Sequence, residues 1–205
     1  MGKAGCVIIG IIVAVLALGA LWGVGQYNGL VGSQQEVDTQ WAQVQNAYQR
    51  RADLIPNLVA TVKGSAQFEQ DTLTKVIEAR SRVGQISAQA TNEILNDPAK
   101  FQQFQQAQDG LSSALSRLMV VVEQYPQLRS TEAFTNLMAS LEGSENRIAV
   151  ERNRFNEVAR GYNTRIKQFP ASLFISILGW NFPPKPYFAA TASAETAPKV
   201  DFGNR

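Results

Sequence analysis

Histidine is absent from this 205-residue chain, and cysteine occurs once, at Cys6. The first absence removes the usual general base, the Ser-His and Cys-His nucleophile pairs, and the imidazole ligands of most zinc and di-iron sites. The second excludes an intrachain disulfide, so cysteine usage says nothing of the redox compartment. Net charge is scarce too: it is +2 at neutral pH, which provides no electrostatic case for nucleic acid. No stretch alternates with period two over a useful length, so no sheet is predicted. What the chain has is glutamine, in runs such as FQQFQQAQ (101–108). Glutamine favours helix without adding charge, which suits long soluble helices. The length suffices for one domain with a core of its own.

From Cys6 to Gly25, CVIIGIIVAVLALGALWGVG carries no charged residue. About twenty residues at 1.5 Å each span roughly 30 Å, the thickness of a bilayer core. Trp22 and Tyr27 stand at the distal end, where aromatic residues prefer the interface. Residues 7–25 are therefore predicted as one transmembrane helix behind a short tail, 1–6. A cleaved signal peptide is the competing reading, but nothing after Gly25 resembles a small-x-small cleavage site. A lipid-modified Cys6 would need its apolar stretch upstream, and here it follows. Lys3 and the α-amino group precede the span, whereas Glu36 and Asp38 follow it and the next basic residue is Arg50. By the positive-inside rule the N-terminus is cytoplasmic and the domain outside.

After a polar hinge, 26–36, apolar residues recur every seven positions. Trp41, Tyr48, Ile55, Val62, Glu69, Val76 and Val83 form one stripe, joined by Val37, Val44, Arg51, Leu58 and Ala79. They read as one helix over 37–86. Asp97-Pro98 looks like a second helix start, followed by Phe104, Leu111, Leu118 and Tyr125 and stopped by Pro126. That helix covers 101–125. A third starts at Ser130 or Thr131, carries Phe134, Leu141, Ile148, Phe155, Tyr162 and Phe169, and ends at Pro170. A sustained seven-residue repeat means helices packed side by side at shallow angles. The fold class is thus all-α: a membrane helix, then an elongated antiparallel bundle over 37–170 with a long bent first helix. The apolar segment 171–188 is too short to span a bilayer. It is predicted to form a short helix docked on the bundle, the membrane interface being the alternative. The tail 189–205 is expected to be disordered.

Charges interrupt the stripes at Arg51 and Glu69, and at Glu145 and Arg152. A charge in a core must be paired. With the first and third helices parallel, the expected partners are Glu69 with Arg152, and Arg51 with Glu132 at the mouth of the bundle. Glu142, Glu145 and Glu151 would suit a divalent cation, but Arg147, Arg152 and Arg154 are interleaved with them, which favours ion pairs. Pro56 removes the helical hydrogen bond to the Ala52 carbonyl and is expected to kink the helix. No residue is assigned a catalytic, cofactor-binding or metal-binding role.

Lengths suggest self-association. A first helix of roughly 75 Å outruns a second of about 37 Å. Val37, Trp41, Val44 and Tyr48 are then left without an intrachain partner. An exposed stripe bearing Trp and Tyr is expected to be covered, and the same stripe from a neighbouring copy is the expected cover. A homo-oligomer in the membrane follows.

RRADLIPNLVATVKG (50–64), the AR of EARSRV (78–83) and LEGSENRIAVERNRFNEVARGYN (141–163) resemble the LemA family of bacterial membrane proteins. The resemblance covers about Val37 to Phe188 and the membrane helix before it. It implies a short N-terminal tail, one membrane helix and a helical bundle in a bacterial inner membrane. It implies no established enzymatic activity, and it offers no catalytic residue to carry over. The family occurs in genetic contexts with a membrane-bound zinc metalloprotease, and relatives occur among magnetosome membrane proteins. The leading expectation is a membrane-anchored, self-associating scaffold that organises the bilayer or a membrane partner without catalysis. The alternative is an adaptor or modulator of a membrane enzyme such as that protease. A cation or enzymatic site on the third-helix acids comes last, since histidine is missing.

Overall fold

A computed structural model of the chain describes residues 3–64, 69–87 and 91–189. Every regular element among them is helical: α1 (Lys3–Lys63), α2 (Gln70–Ser87), α3 (Thr91–Asn96), α4 (Pro98–Val122), α5 (Pro126–Arg129), α6 (Glu132–Lys167) and α7 (Ala171–Leu178). The expected disordered tail lies, beyond Ala189, outside the described residues.

α1 is one helix of 61 residues, roughly 90 Å long. Residues 26–36, expected as a hinge, simply continue it. Its N-terminal part is long and apolar enough to cross a membrane, and Ile8 to Leu21 turn their large side chains outward. Gly23 is the first buried residue, and Leu30 is the first large side chain buried inside the protein. Nearby, the Arg165 guanidinium of α6 lies over Gly29, where a Cβ would displace this flexible side-chain end. Arg165 donates to Ser33 Oγ at 2.8 Å.

The predicted helix over 37–86 is two helices. α1 stops at Lys63, and the chain reverses before α2 starts at Gln70. α2 then runs back along α1, where Arg80 Nε donates to the Ala52 carbonyl at 3.0 Å. α4 rises again beside α1: Trp41 meets Phe101 and Phe104, Tyr48 meets Phe104, and Arg51 meets Gln108 and Ser112. α6 descends. As its α1 partner falls from Arg51 to Trp41 to Ser33, the α6 residue climbs from Glu145 to Phe155 to Arg165. α1, α2, α4 and α6 therefore form an up-down-up-down bundle. α1 and α6 are antiparallel, not parallel, because the reversal before α2 adds one helix to the count.

The caps are conventional. Asp97 accepts from Ala99 N and Lys100 N at the start of α4, with Pro98 in its first turn. Thr131 accepts from Phe134 N at the start of α6. Such caps satisfy backbone donors that the first helical turn leaves open. Two buried clusters fill the bundle. The distal one holds Ile55, Leu58, Val62, Val76, Leu111 and Leu118. The membrane-proximal one surrounds Trp41 with Phe101, Phe104, Phe155 and Phe188. Val37, Trp41, Val44 and Tyr48, expected as contacts between copies, are all buried within this single chain. Their cover comes from α3, α4, α6 and the C-terminal segment, which the two-helix comparison of lengths had not supplied.

After α6 the chain dips through α7, turns at Gly179 in the left-handed region (φ 66°), and climbs back along α6 as residues 180–189. In this last segment every third residue is buried: Phe182, Lys185 and Phe188. A polyproline helix has three residues per turn, and Pro183, Pro184 and Pro186 occupy its other faces.

Candidate functional site

Arg51 is the charged centre of the bundle. It is 1% exposed, and it joins three helices. Nη1 donates to Glu145 Oε1 at 2.7 Å and to Ser112 Oγ at 2.7 Å, while Nη2 donates to Gln108 Oε1 at 2.6 Å. The guanidinium also lies over the Tyr48 ring, 5.3 Å from its centroid. Burial is the main cause that pushes the Tyr48 hydroxyl above its ordinary pKa, against the pull of Arg152 and Arg51. The sequence had named Arg51 and Glu145 as buried charges but had paired them wrongly. Glu132 is exposed at the start of α6 and does not meet Arg51.

Glu69 and Arg152 do not meet either. Glu69 is exposed just before α2 and accepts from Thr72 Oγ1 at 3.4 Å. Arg152 lies over the Phe188 ring at 4.7 Å and donates to the Ala189 carbonyl. The antiparallel course of α6 puts these two residues at different levels of the bundle. Of the third-helix acids, Glu151 is the buried one. It accepts from Gln40 Nε2 at 2.8 Å and pairs with Arg147 and Arg154. Among the described residues no three potential metal ligands come together.

Pro56 lies within α1, which stays helical on both sides of it. The carbonyl it deprives of a donor, that of Ala52, is the one that Arg80 reaches from α2. The side chain replaces the lost backbone bond, as a part-buried carbonyl requires.

The C-terminal strap, 180–189, is held by two asparagines that sequence reasoning missed. Asn163 Oδ1 accepts from Lys185 N, and its Nδ2 donates to Lys185 O, both at 2.8 Å. Asn156 does the same to Phe188, at 2.8 and 3.0 Å. Seven helical residues cover about 10.5 Å, and three residues of extended chain reach about 10 Å, so the two spacings match. Each asparagine follows a stripe aromatic, in Phe155-Asn156 and Tyr162-Asn163. That repeat was the available signal. The strap thereby seats Phe188 against Trp41, Phe101 and Phe155.

A second polar group lies beneath the strap. Lys185 Nζ donates to Asn96 Oδ1 at 2.6 Å, and burial holds its pKa below the ordinary lysine value despite the opposing influence of Asp38. Burial likewise raises the Asp38 carboxyl, against the attraction of Lys185, and Asp38 Oδ1 has no hydrogen-bond partner among the described residues. The Tyr162 hydroxyl, which donates to the Pro183 carbonyl, is pushed up to about 12 by burial and by Asp38. A carboxyl whose folded pKa is raised favours the fold more as pH falls through that pKa, and less as pH rises above it. Asp38→Asn mimics the protonated form. It should therefore be more stable than the wild type at pH 7 and lose its advantage as pH approaches 4. The gain should be small, because solvent screens a partly exposed group. Thermal melts of both proteins across that range test this. A gap that does not change with pH would rule it out.

On the outer face, α2 and α4 leave an open groove of about 580 Å³. Ala79, Ala107, Gly110 and Ala114 are among the residues that line it, and Lys75, Arg82 and Arg117 bring three positive charges to it against the one negative charge of Glu78. Unlike Arg51 and Lys185, these side chains are not built into the core.

The family model described as LemA family matches residues 40–202. Over 169 residues the chain is 28% identical to magnetosome protein MamQ of Magnetospirillum gryphiswaldense, covering 76% of this chain and 62% of that protein. It is 30% identical over 185 residues to magnetosome protein MamQ 2 of Paramagnetospirillum magneticum, covering 83% and 67%. With protein LemA of Metamycoplasma hominis it shares 24% over 146 residues, covering 71% and 62%. The chain thus spans less than two thirds of the first and third of these relatives.

Proposed function

The chain belongs to the LemA family of membrane-associated proteins, and from that premise we propose that it works without catalysis, as a membrane-anchored adaptor that holds another protein against its bundle. α1 is at once the candidate membrane span and the main helix of the bundle. The domain is therefore fixed to the anchor without a linker. We take the membrane to be the bacterial cytoplasmic membrane and the bundle to lie on its outer side, from the distribution of charge around the span.

One observation carries this reading. The buried charges on α1 and α6 are taken up by internal contacts, whereas the α2–α4 groove keeps an excess of positive charge at an open, small-residue floor. That suits a partner segment bearing acidic residues, for charge complementarity selects partners and steers encounter. A membrane enzyme, such as the protease the family resemblance suggested, is one such partner. A second copy of the chain is another, but Trp41 and Tyr48 would not supply the contact because they are buried.

Photo-crosslinking in cells tests the reading. A photoreactive residue at Gln106 or Ser113, in the groove, is expected to give one discrete heterologous adduct, and one at the exposed Asn153 on α6 none. An adduct of twice the chain's mass would favour self-association. No adduct at either groove position would refute the adaptor reading.

A further inference from the structure

We infer that α7 enters the lipid bilayer beside α1 as a short re-entrant element, reaching into one leaflet without crossing it. The inference rests on reading the apolar part of α1 as the membrane span. It starts from where α7 is packed. Phe174 sits against Gly23 and makes an edge contact with Trp22, ring centroids 5.7 Å apart. Trp180, just after α7, meets Tyr27 at 5.0 Å. Trp22 and Gly23 belong to the stretch without charge that forms the candidate span. Whatever solvent surrounds α1 at Gly23 also surrounds α7.

The chemistry of α7 agrees. From Gln168 to Pro184 there is no charged residue. Phe169, Leu173, Ile177 and Leu178 point outward, with Phe169 75% and Ile177 70% exposed. In water, such a contiguous apolar surface would be costly. Beside a membrane helix it continues the surface that α1 already presents. Backbone donors and acceptors in a bilayer must be satisfied internally or shielded by protein; α7 satisfies those within its helix, and its open end at Leu178 to Trp180 lies beside Gly19 to Tyr27 of α1.

Heights decide between an element lying on the surface and one that enters. Basic residues close α6, with Arg165 at the level of Gly29 and Ser33, followed by Lys167. They suit the headgroup layer, where long cationic side chains reach phosphate. Below them, α7 and α1 together line an apolar groove that includes Gly19, Ala20, Gly23, Phe174 and Leu178. From Gly25 down to Gly19 is about 9 Å along a helix, less than the roughly 15 Å of half a bilayer core. The tip therefore stays in the leaflet on the side of the bundle. Aromatic residues at its upper edge, Trp22, Tyr27 and Trp180, occupy the interfacial depth that such rings prefer.

The test uses the full chain with Cys6→Ser, reconstituted in phosphatidylcholine–phosphatidylglycerol vesicles. An environment-sensitive fluorophore is attached at one new cysteine, Ile177→Cys or Leu173→Cys on α7, Ile12→Cys on α1, or Val120→Cys on the bundle. Lipids carry a nitroxide quencher either near the glycerol or near the chain terminus. Circular dichroism first checks that each labelled protein keeps its helix content. Both α7 labels are expected to lose about half their emission or more, chiefly to the shallow quencher, while the Ile12 label responds to the deep one and Val120 to neither. Quenching at Ile12 with none at either α7 position would overturn the inference and leave the span intact, with α7 covered by protein. Loss of quenching at Ile12 would overturn the span itself. The inference would fall with it, since α7 is placed in the bilayer only by its contact with Trp22 and Gly23.

Discussion

Trp41→Ala is expected to destabilise the bundle by about 3–5 kcal/mol, the usual cost of emptying a buried aromatic site. Trp41 is fully buried and stands between α4, α6 and the strap, touching Phe101, Phe104, Phe155 and Phe188. Neighbouring rings cannot collapse into the gap without dragging the strap with them, because Phe188 is tied to Asn156 by two hydrogen bonds. Trp41→Phe should be far milder. It keeps an aromatic body, and the indole N–H that it removes has no hydrogen-bond partner among the described residues. The alternative picture, in which Trp41 joins two copies, predicts that Trp41→Ala changes the assembly and not the stability of the bundle. Denaturant titration in mild detergent, followed by circular dichroism and paired with light scattering, separates the two. A variant that melts as the wild type does but sizes as a smaller particle would contradict the packing described for Trp41.

The seven-residue stripes marked helical stretches and most of the core residues, and Asp97-Pro98 and Thr131 marked two helix starts. The stripe also ran straight through a helix end. Val62, Glu69, Val76 and Val83 keep their spacing across the reversal between α1 and α2. Only Glu69 breaks the apolar pattern, and a charge there fits a residue outside any helix better than half of a buried bridge. Lys63-Gly64, a basic last turn followed by glycine, was the local stop signal. Once that turn is missed, the helix count falls by one, α6 is taken to run the wrong way, and every inferred ion pair across the bundle shifts. The strap was less accessible. Its fit depends on matching two spacings, one along a helix and one along a polyproline segment, in parts of the chain 22 to 32 residues apart. Seen afterwards, FPPKPYF has the composition of a polyproline helix, and the repeated aromatic-Asn pair on α6 is its receptor.

The second large effect should come from the more exposed partner of the central ion pair. Glu145 is 45% exposed and Arg51 1%. Glu145→Ala leaves a guanidinium in the core with only neutral acceptors, Gln108 and Ser112, and should cost about 3–5 kcal/mol, as unpaired buried charges do. Arg51→Met should cost less. It removes the buried charge, returns Glu145 to water, and fills part of the space with an adaptable side chain. Gln108 then loses its donor, so the change is not free. The double variant should resemble Arg51→Met alone, since with no guanidinium in the core the carboxylate has little left to do. This order is the reverse of the usual rule that substitution of the buried residue does more harm. It follows because the penalty lies in what is left behind, not in what is taken away. Denaturation of the two single variants and the double variant gives the coupling directly. Glu145→Ala within about 0.5 kcal/mol of the wild type, the range of ordinary surface changes, would mean that the neutral acceptors suffice for Arg51 and that the pair contributes nothing to the fold.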